Sequence, residues 1–183
     1  MKNLFSPKNI AGMAVFSALS YLVSFLEFPI FPAAPFLKLD FSNVFIMLAG
    51  FMYGPIPAVL VGVVKELLCL IGTSTFGVGQ IANVLVILIY VLPPSIVYLY
   101  KKGLKWVCFM LIISCILQTV TALLVNKFIT FPLYGMADAF NGLFWVIVGF
   151  NLIKSVSVSV LTVLLYKRIS YIFKKINLQN SEK

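Results

Sequence analysis

The chain has 183 residues, 62% of them apolar and only 10% charged, with a formal net charge of +9. Soluble domains run near 45–50% apolar and about 25% charged, and a chain this short has no interior large enough to hide the excess. Disorder, a collagen-like repeat and a disulfide scaffold are excluded by the same figures, which leaves an integral membrane protein whose positive charge reflects loops rather than nucleic acid.

A helix needs roughly 20 apolar residues to cross the hydrocarbon. The first candidate covers about 10–28, after Lys2 and Lys8. It imitates a signal peptide, but Phe28-Pro29 and further prolines to Pro35 follow it in place of a small-residue cleavage site, so we expect it to be retained. Ala14 and Ala18 stand one turn apart on it. This small-xxx-small pattern lets helix backbones approach closely in lipid, either inside the bundle or against a protein partner.

Next comes a long outer loop ending in Phe36-Leu37-Lys38-Leu39-Asp40-Phe41-Ser42-Asn43. The apolar stretch from Phe41 to Ile71 is too long for one span, and Gly54-Pro55-Ile56-Pro57 interrupts it. Proline removes a backbone donor and disfavours helix just before it. Two shorter helices result, about 41–53 and 56–71. The segment Gly77-Val78-Gly79-Gln80-Ile81-Ala82-Asn83 opens a fourth helix, about 80–100; the fifth and sixth cover about 106–126 and 143–168. The expected fold is an all-α bundle of six transmembrane helices forming one membrane domain over 1–183.

Six spans place both termini, the turn at 54–57 and the loop after helix four on one side. Lys2, Lys8, Lys101, Lys102, Lys105, Lys167, Arg168, Lys174, Lys175 and Lys183 then share a face, ten of the fourteen basic residues. The positive-inside rule makes that face cytoplasmic. Five or seven spans would scatter the clusters.

The four remaining cations are Lys38 in the outer loop, Lys127 at the outer end of helix five, and Lys65 and Lys154 inside apolar runs. An unpaired charge at membrane depth costs on the order of 3 kcal/mol by insertion scales, and such residues mark substrate pathways by default. Lys65 is followed by Glu66, but adjacent helical residues point about 100° apart, so a direct pair between them is expected to be poor. Asn151 and Lys154 share a helix face at i, i+3, as do Gln80 and Asn83. With Asn126 beside Lys127, and Phe131-Pro132-Leu133-Tyr134-Gly135 opening the next loop towards Asp138 and Asn141, polar groups gather at one depth. They predict a pocket open to the outside, lined by Phe, Tyr and Leu. Amides and ammonium groups without histidine suit a neutral hydrogen-bonding molecule better than a metal. Loop aromatics, Phe36, Phe41, Phe76, Phe131 and Tyr134, could stack on a flat ring, although an elongated amphipathic solute fits nearly as well.

Other chemistries lack their residues. Histidine is absent, there is no GxxxxGK[ST] loop, and Cys69, Cys108 and Cys115 are scattered through apolar runs without CxxC spacing, as buried small apolar side chains would be. Glu27, Asp40, Glu66, Asp138 and Glu182 are too dispersed in sequence to propose a carboxylate pair. Neither an enzyme nor a self-powered transporter is expected, and no cofactor or metal.

Taken together, the Ala14-xxx-Ala18 helix, Leu37 to Asn43, Gly79-Gln80-Ile81-Ala82-Asn83, Asn126 before Phe131-Pro132-Leu133-Tyr134, and Phe150-Asn151-Leu152-Ile153-Lys154 are similar to a known family. The chain resembles, over nearly its whole length, the substrate-binding S component of energy-coupling factor (ECF) vitamin transporters, most closely the riboflavin-specific RibU type. It departs from that pattern where Ser42-Asn43 is followed by Val44-Phe45, and at Gln80, where a glutamate is usual. The resemblance implies a six-helix protein of the bacterial cell membrane that captures riboflavin from outside and works with a transmembrane T subunit and two ATP-binding cassette ATPases. It also implies that Ala14 and Ala18 meet the T subunit. Leu37, Lys38, Leu39, Asp40 and Phe41 would cap the site, joined by Gln80 and Asn83, while Asn126, Asn151 and Lys154 read the polar edge of the flavin ring. An S component for another vitamin, such as pantothenate, is the alternative.

Overall fold

The computed structural model describes residues 5–72 and 77–181, with side chains described as far as residue 168. Lys2, Phe76, Glu182 and Lys183, and the side chains of Lys174 and Lys175, lie outside that description.

Among the described residues six long helices form the bundle: α1 (Pro7–Ser24), α2 (Asn43–Tyr53), α3 (Pro55–Cys69), α4 (Val78–Tyr100), α5 (Leu104–Val125) and α6 (Phe140–Ser181). The number and order match the sequence expectation, and the boundaries shift for local reasons. Helix α1 starts early because Ser6 caps it, accepting from the Asn9 N–H at 3.4 Å, and Pro7 fits the first turn, where no donor is needed. It also stops at Ser24, four residues short of the expected end, and the chain turns into a strand pair, β1 (Phe28–Pro29) antiparallel to β2 (Lys38–Leu39). Between α2 and α3, Gly54 adopts φ 105°, a backbone state that side chains disfavour, which is why the break falls there. Pro93 and Pro94 sit inside α4 without ending it, as membrane helices tolerate.

The largest departure is at the end of α5. The expected loop after Asn126 is instead a π-helical turn, Asn126–Thr130, followed by one α-helical turn, Phe131–Leu133, before Gly135 reverses the chain at φ 68°. Among the described residues, four helical stretches are long and apolar enough to cross a membrane: 55–72, 78–100, 104–133 and 137–168.

Helix α2 organises the interior. Its 11 residues rise only about 16 Å, roughly half the hydrocarbon thickness. After Asn43 it is apolar on every side, and Asn43, Val44 and every residue from Ile46 to Phe51 are buried, as expected for a helix surrounded by others. It packs against α1, α3, α4 and α6. Below its start, Val44, Met47, Phe51, Val61, Tyr90, Leu111 and Val158 belong to one dense apolar core. Above it, loop residues Ala34, Leu37 and Leu39 pack with Phe131, Phe140, Ile147 and Phe150 in a second core. The column that a full-length α2 would fill is left to a cavity between the two.

Candidate functional site

The cavity has a volume of about 580 Å³ and draws its walls from every helix and from the loop after α1. It lies within the range of sites that enclose a small organic ligand. Asn43, the first residue of α2, contributes to its lining and is itself buried.

Eight of the ten residues singled out for ligand contact line this cavity: Leu37, Lys38, Asp40, Gln80, Asn83, Asn126, Asn151 and Lys154. Leu39 and Phe41 are not among the lining residues. Alternation along the short strand β2 turns Leu39 into the upper core, and Phe41 packs against both cores, so these two hold the loop in place. Of the loop aromatics, Phe36 and Tyr134 line the cavity and meet edge to face with ring centroids 6.3 Å apart. Phe131 is buried behind them, 5.6 Å from Phe36. Asp138 and Asn141 do not line the cavity.

The electrostatics correct the sequence reading in two ways. The dispersed carboxylates converge: Glu27, Asp40 and Glu66 all line the cavity, brought there by the loop and by α3. And each lining lysine is paired with one of them. Lys154 Nζ donates to Asp40 Oδ2 at 2.7 Å, bridging α6 to the loop across 114 residues of sequence. Lys65 Nζ donates to Glu66 Oε1, also at 2.7 Å, a pair expected to be poor. Their Cβ bonds do diverge, but both side chains are long enough to turn back on each other. Both side chains are buried, with exposures of 4% and 2%, so pairing is the cheaper state. Lys38 pairs with Glu27 at the half-exposed rim.

Asp40 is the most constrained of these groups. Burial by itself pushes its carboxyl up, but the charges of Lys154 and Lys65 and hydrogen bonds from Lys154 and Ser42 outweigh it and hold it well below the usual carboxylate range. Its Oδ1 accepts from the Ser42 N–H at 2.9 Å and from the Ser42 hydroxyl, a local turn that orients the carboxylate towards α6. Ser42 is held in turn by Ser20 Oγ of α1, which donates to its carbonyl at 2.8 Å.

The amides provide the remaining chemistry. Asn126 and Asn151 each donate to the carbonyl one turn earlier, Ala122 O at 2.7 Å and Ile147 O at 2.9 Å. That fixes their orientation while leaving each a carbonyl oxygen and a second N–H. The π-helical turn beginning at Asn126 also carries Thr130 to the wall. Such turns often re-aim side chains at functional sites.

Sequence reasoning did not assign Glu66, Gln118 or Thr130 to the site. Each lines the cavity and is buried, and Glu66 Oε2, Gln118 Oε1 and Thr130 Oγ1 have no hydrogen-bond partner among the described residues. Such orphaned acceptors are costly in an apolar bundle unless a ligand or water completes them. For Gln118 a signal existed: it is an isolated amide inside the apolar run of α5. The cysteines are all free; one of them, Cys69, lies in the cavity wall against Ser24 Oγ at 3.5 Å rather than in an apolar environment. Ala14 and Ala18 face outward, the buried side of α1 being Met13, Ser17, Ser20 and Ser24.

Comparison with known proteins agrees with this architecture. Residues 8–166 match the family described as ECF transporter, substrate-specific component. The riboflavin transporter RibU of Staphylococcus aureus (strain TCH60) is 35% identical, the alignment covering 95% of this chain and 96% of that protein. The riboflavin transporter FmnP of Bacillus subtilis (strain 168) is 26% identical over 87% of this chain and 90% of its own. A solved S component of a bacterial ECF transporter superimposes with a TM-score of 0.81 at 34% identity, covering 91% of this chain and 98% of that one.

Proposed function

We propose that this chain, which belongs to the substrate-specific components of ECF transporters, is the riboflavin-capturing subunit of such a transporter. The observation that carries the reading is the cavity beside α2, where amides of α5 and α6, a paired ammonium and orphaned acceptors surround one volume of about 580 Å³. The relatives named above as riboflavin transporters support it.

The chemistry fits a flavin. The imide-like edge of the ring system alternates carbonyl acceptors with an N–H donor. Asn126 and Asn151 supply both donors and acceptors, and Lys154 supplies an ammonium to a ring carbonyl. Phe36 and Tyr134 roof the flat ring, and Leu37 and Val86 among the apolar lining residues receive its dimethylbenzene end. Glu66, Gln118 and Thr130 are acceptors suited to the hydroxyls of a ribityl chain. The loop residues Leu37 to Phe41 close the site, three directly and Leu39 and Phe41 by packing.

Uptake is completed with a T subunit and two ATP-binding cassette ATPases. The outward Ala14 and Ala18, flanked by exposed Val15, Leu19 and Leu22, give α1 a face where a partner helix can approach closely. Both termini lie on the cytoplasmic side, with the cavity opening outward.

The test is the visible spectrum of detergent-purified protein, followed by titration of flavin fluorescence. Retained yellow colour, or quenching at one equivalent, is expected. Colourless protein that quenches no added riboflavin would move the reading to another vitamin, such as pantothenate.

A further inference from the structure

At the end of the bundle away from the cavity, α4 and α6 are joined by a hydrogen bond between the Tyr98 and Tyr166 hydroxyls, 3.0 Å apart. Phe51 of α2 packs on both rings, with centroids 4.9 and 5.8 Å away. Lys101 and Lys102 follow Tyr98 within about one helical turn, and Lys167 and Arg168 directly follow Tyr166, so this one contact draws both pairs of cations together. Lys105 lies one residue before Trp106, and Lys101 Nζ sits 4.0 Å from the centre of the Trp106 ring. All five cations are exposed.

None is paired with an acid among the described residues. Among the described residues, Glu27, Asp40 and Glu66 are committed to the cavity, and Asp138 lies in the turn before α6, at the opposite end. The ion pairs among the described residues all belong to the cavity lysines. The neighbouring surface is apolar: Ile96 and Leu99 of α4 and Phe109 and Ile112 of α5 are each more than 40% exposed. Tyr100 and Trp106, both exposed, stand at the boundary between the charged and apolar zones.

We propose that this basic end is a binding site for an anionic phospholipid, its phosphate held by Lys101, Lys102, Lys105, Lys167 and Arg168. The acyl chains run along the exposed apolar strip of α4 and α5. An acidic protein would use the charges but not that strip, whereas a phospholipid uses both, and the aromatic pair sits where headgroup meets chain. Each such cation contributes about fivefold in affinity for anionic lipid.

Native mass spectrometry of the full-length protein in mild detergent tests this, with phosphatidylglycerol titrated against phosphatidylcholine. The wild type is expected to prefer phosphatidylglycerol by at least about tenfold. Lys101→Gln, Lys102→Gln and Lys105→Gln combined should lower that preference by at least about tenfold, while Lys127→Gln, a charge change at the other end, leaves it intact. Ligand binding at the cavity serves as the folding control. A wild type without lipid preference, or a triple variant that retains it, overturns the proposal. So does a triple variant that keeps the preference but fails to assemble with the other transporter subunits, which would make this end a protein surface.

Discussion

Replacing Lys154 by Met keeps most of the side-chain volume and removes the charge that bridges α6 to the outer loop. Its partner Asp40 would then be a carboxylate with a side-chain exposure of only 7%. Removing one member of a buried pair costs about 3–5 kcal/mol. The low end of that range applies here, because Lys65 also acts on Asp40 and the Ser42 N–H still donates to it. The expected loss of stability is therefore about 3 kcal/mol. Riboflavin should also lose a charge-assisted hydrogen bond, worth about 1.5–3 kcal/mol, or about 10- to 100-fold in Kd. Adding Asp40→Asn removes the stranded charge, so the double variant should recover stability to within about 1 kcal/mol of wild type while binding stays weak. Unfolding in detergent followed by tryptophan fluorescence reads the first quantity, and flavin titration the second. If Lys154 serves the fold alone, the double variant regains binding as well. That result, or a single variant indistinguishable from wild type, refutes the reasoning. The pH dependence has a definite sign. Asp40 is held below its ordinary value of 3.8, so the pair's contribution is complete above that pH and is lost as the pH falls through the lower, folded value.

Three further outcomes follow from the same geometry. Gln118→Leu removes an orphaned acceptor at the cavity wall and should leave stability unchanged or raised, while riboflavin affinity falls about tenfold; equal binding by titration would take Gln118 out of the site. Ala14→Trp with Ala18→Trp should leave flavin binding untouched and abolish uptake into vesicles containing the complete transporter; loss of binding would mean that the α1 face packs within its own bundle. Every lysine lining the cavity is already paired, so the 5′-phosphate of riboflavin meets no spare cation and should bind at least about tenfold more weakly than riboflavin, measured by competition.

Much of the site was legible because lipid makes polar residues conspicuous. Lys154, Asn151, Asn126 and the Gln80–Asn83 pair stand out in apolar runs, and all of them line the cavity. Gln118 carried the same kind of signal, but a single amide in a long span shows neither which way it faces nor what lies opposite. Leu39 and Phe41 mark another limit. Proximity to Lys38 and Asp40 in sequence suggested ligand contact, whereas the alternating geometry of a two-residue strand sends Leu39 to the core.

The sequence by itself determined the solvent, the number and order of the helices and the end where cations collect, because these depend on composition and on one-dimensional runs measured against a fixed membrane thickness. Only the tertiary structure decided how charge is neutralised. Asp40 meets Lys154 because the loop before the 11-residue α2 forms one wall of the cavity and α6 another, bringing together groups 114 residues apart. Lys65 turns onto its neighbour Glu66 because burial of both side chains makes a direct pair cheaper than two separate charges. Coulombic pairing in a dry interior is set by distance in space, and a linear pattern of residues does not carry that distance.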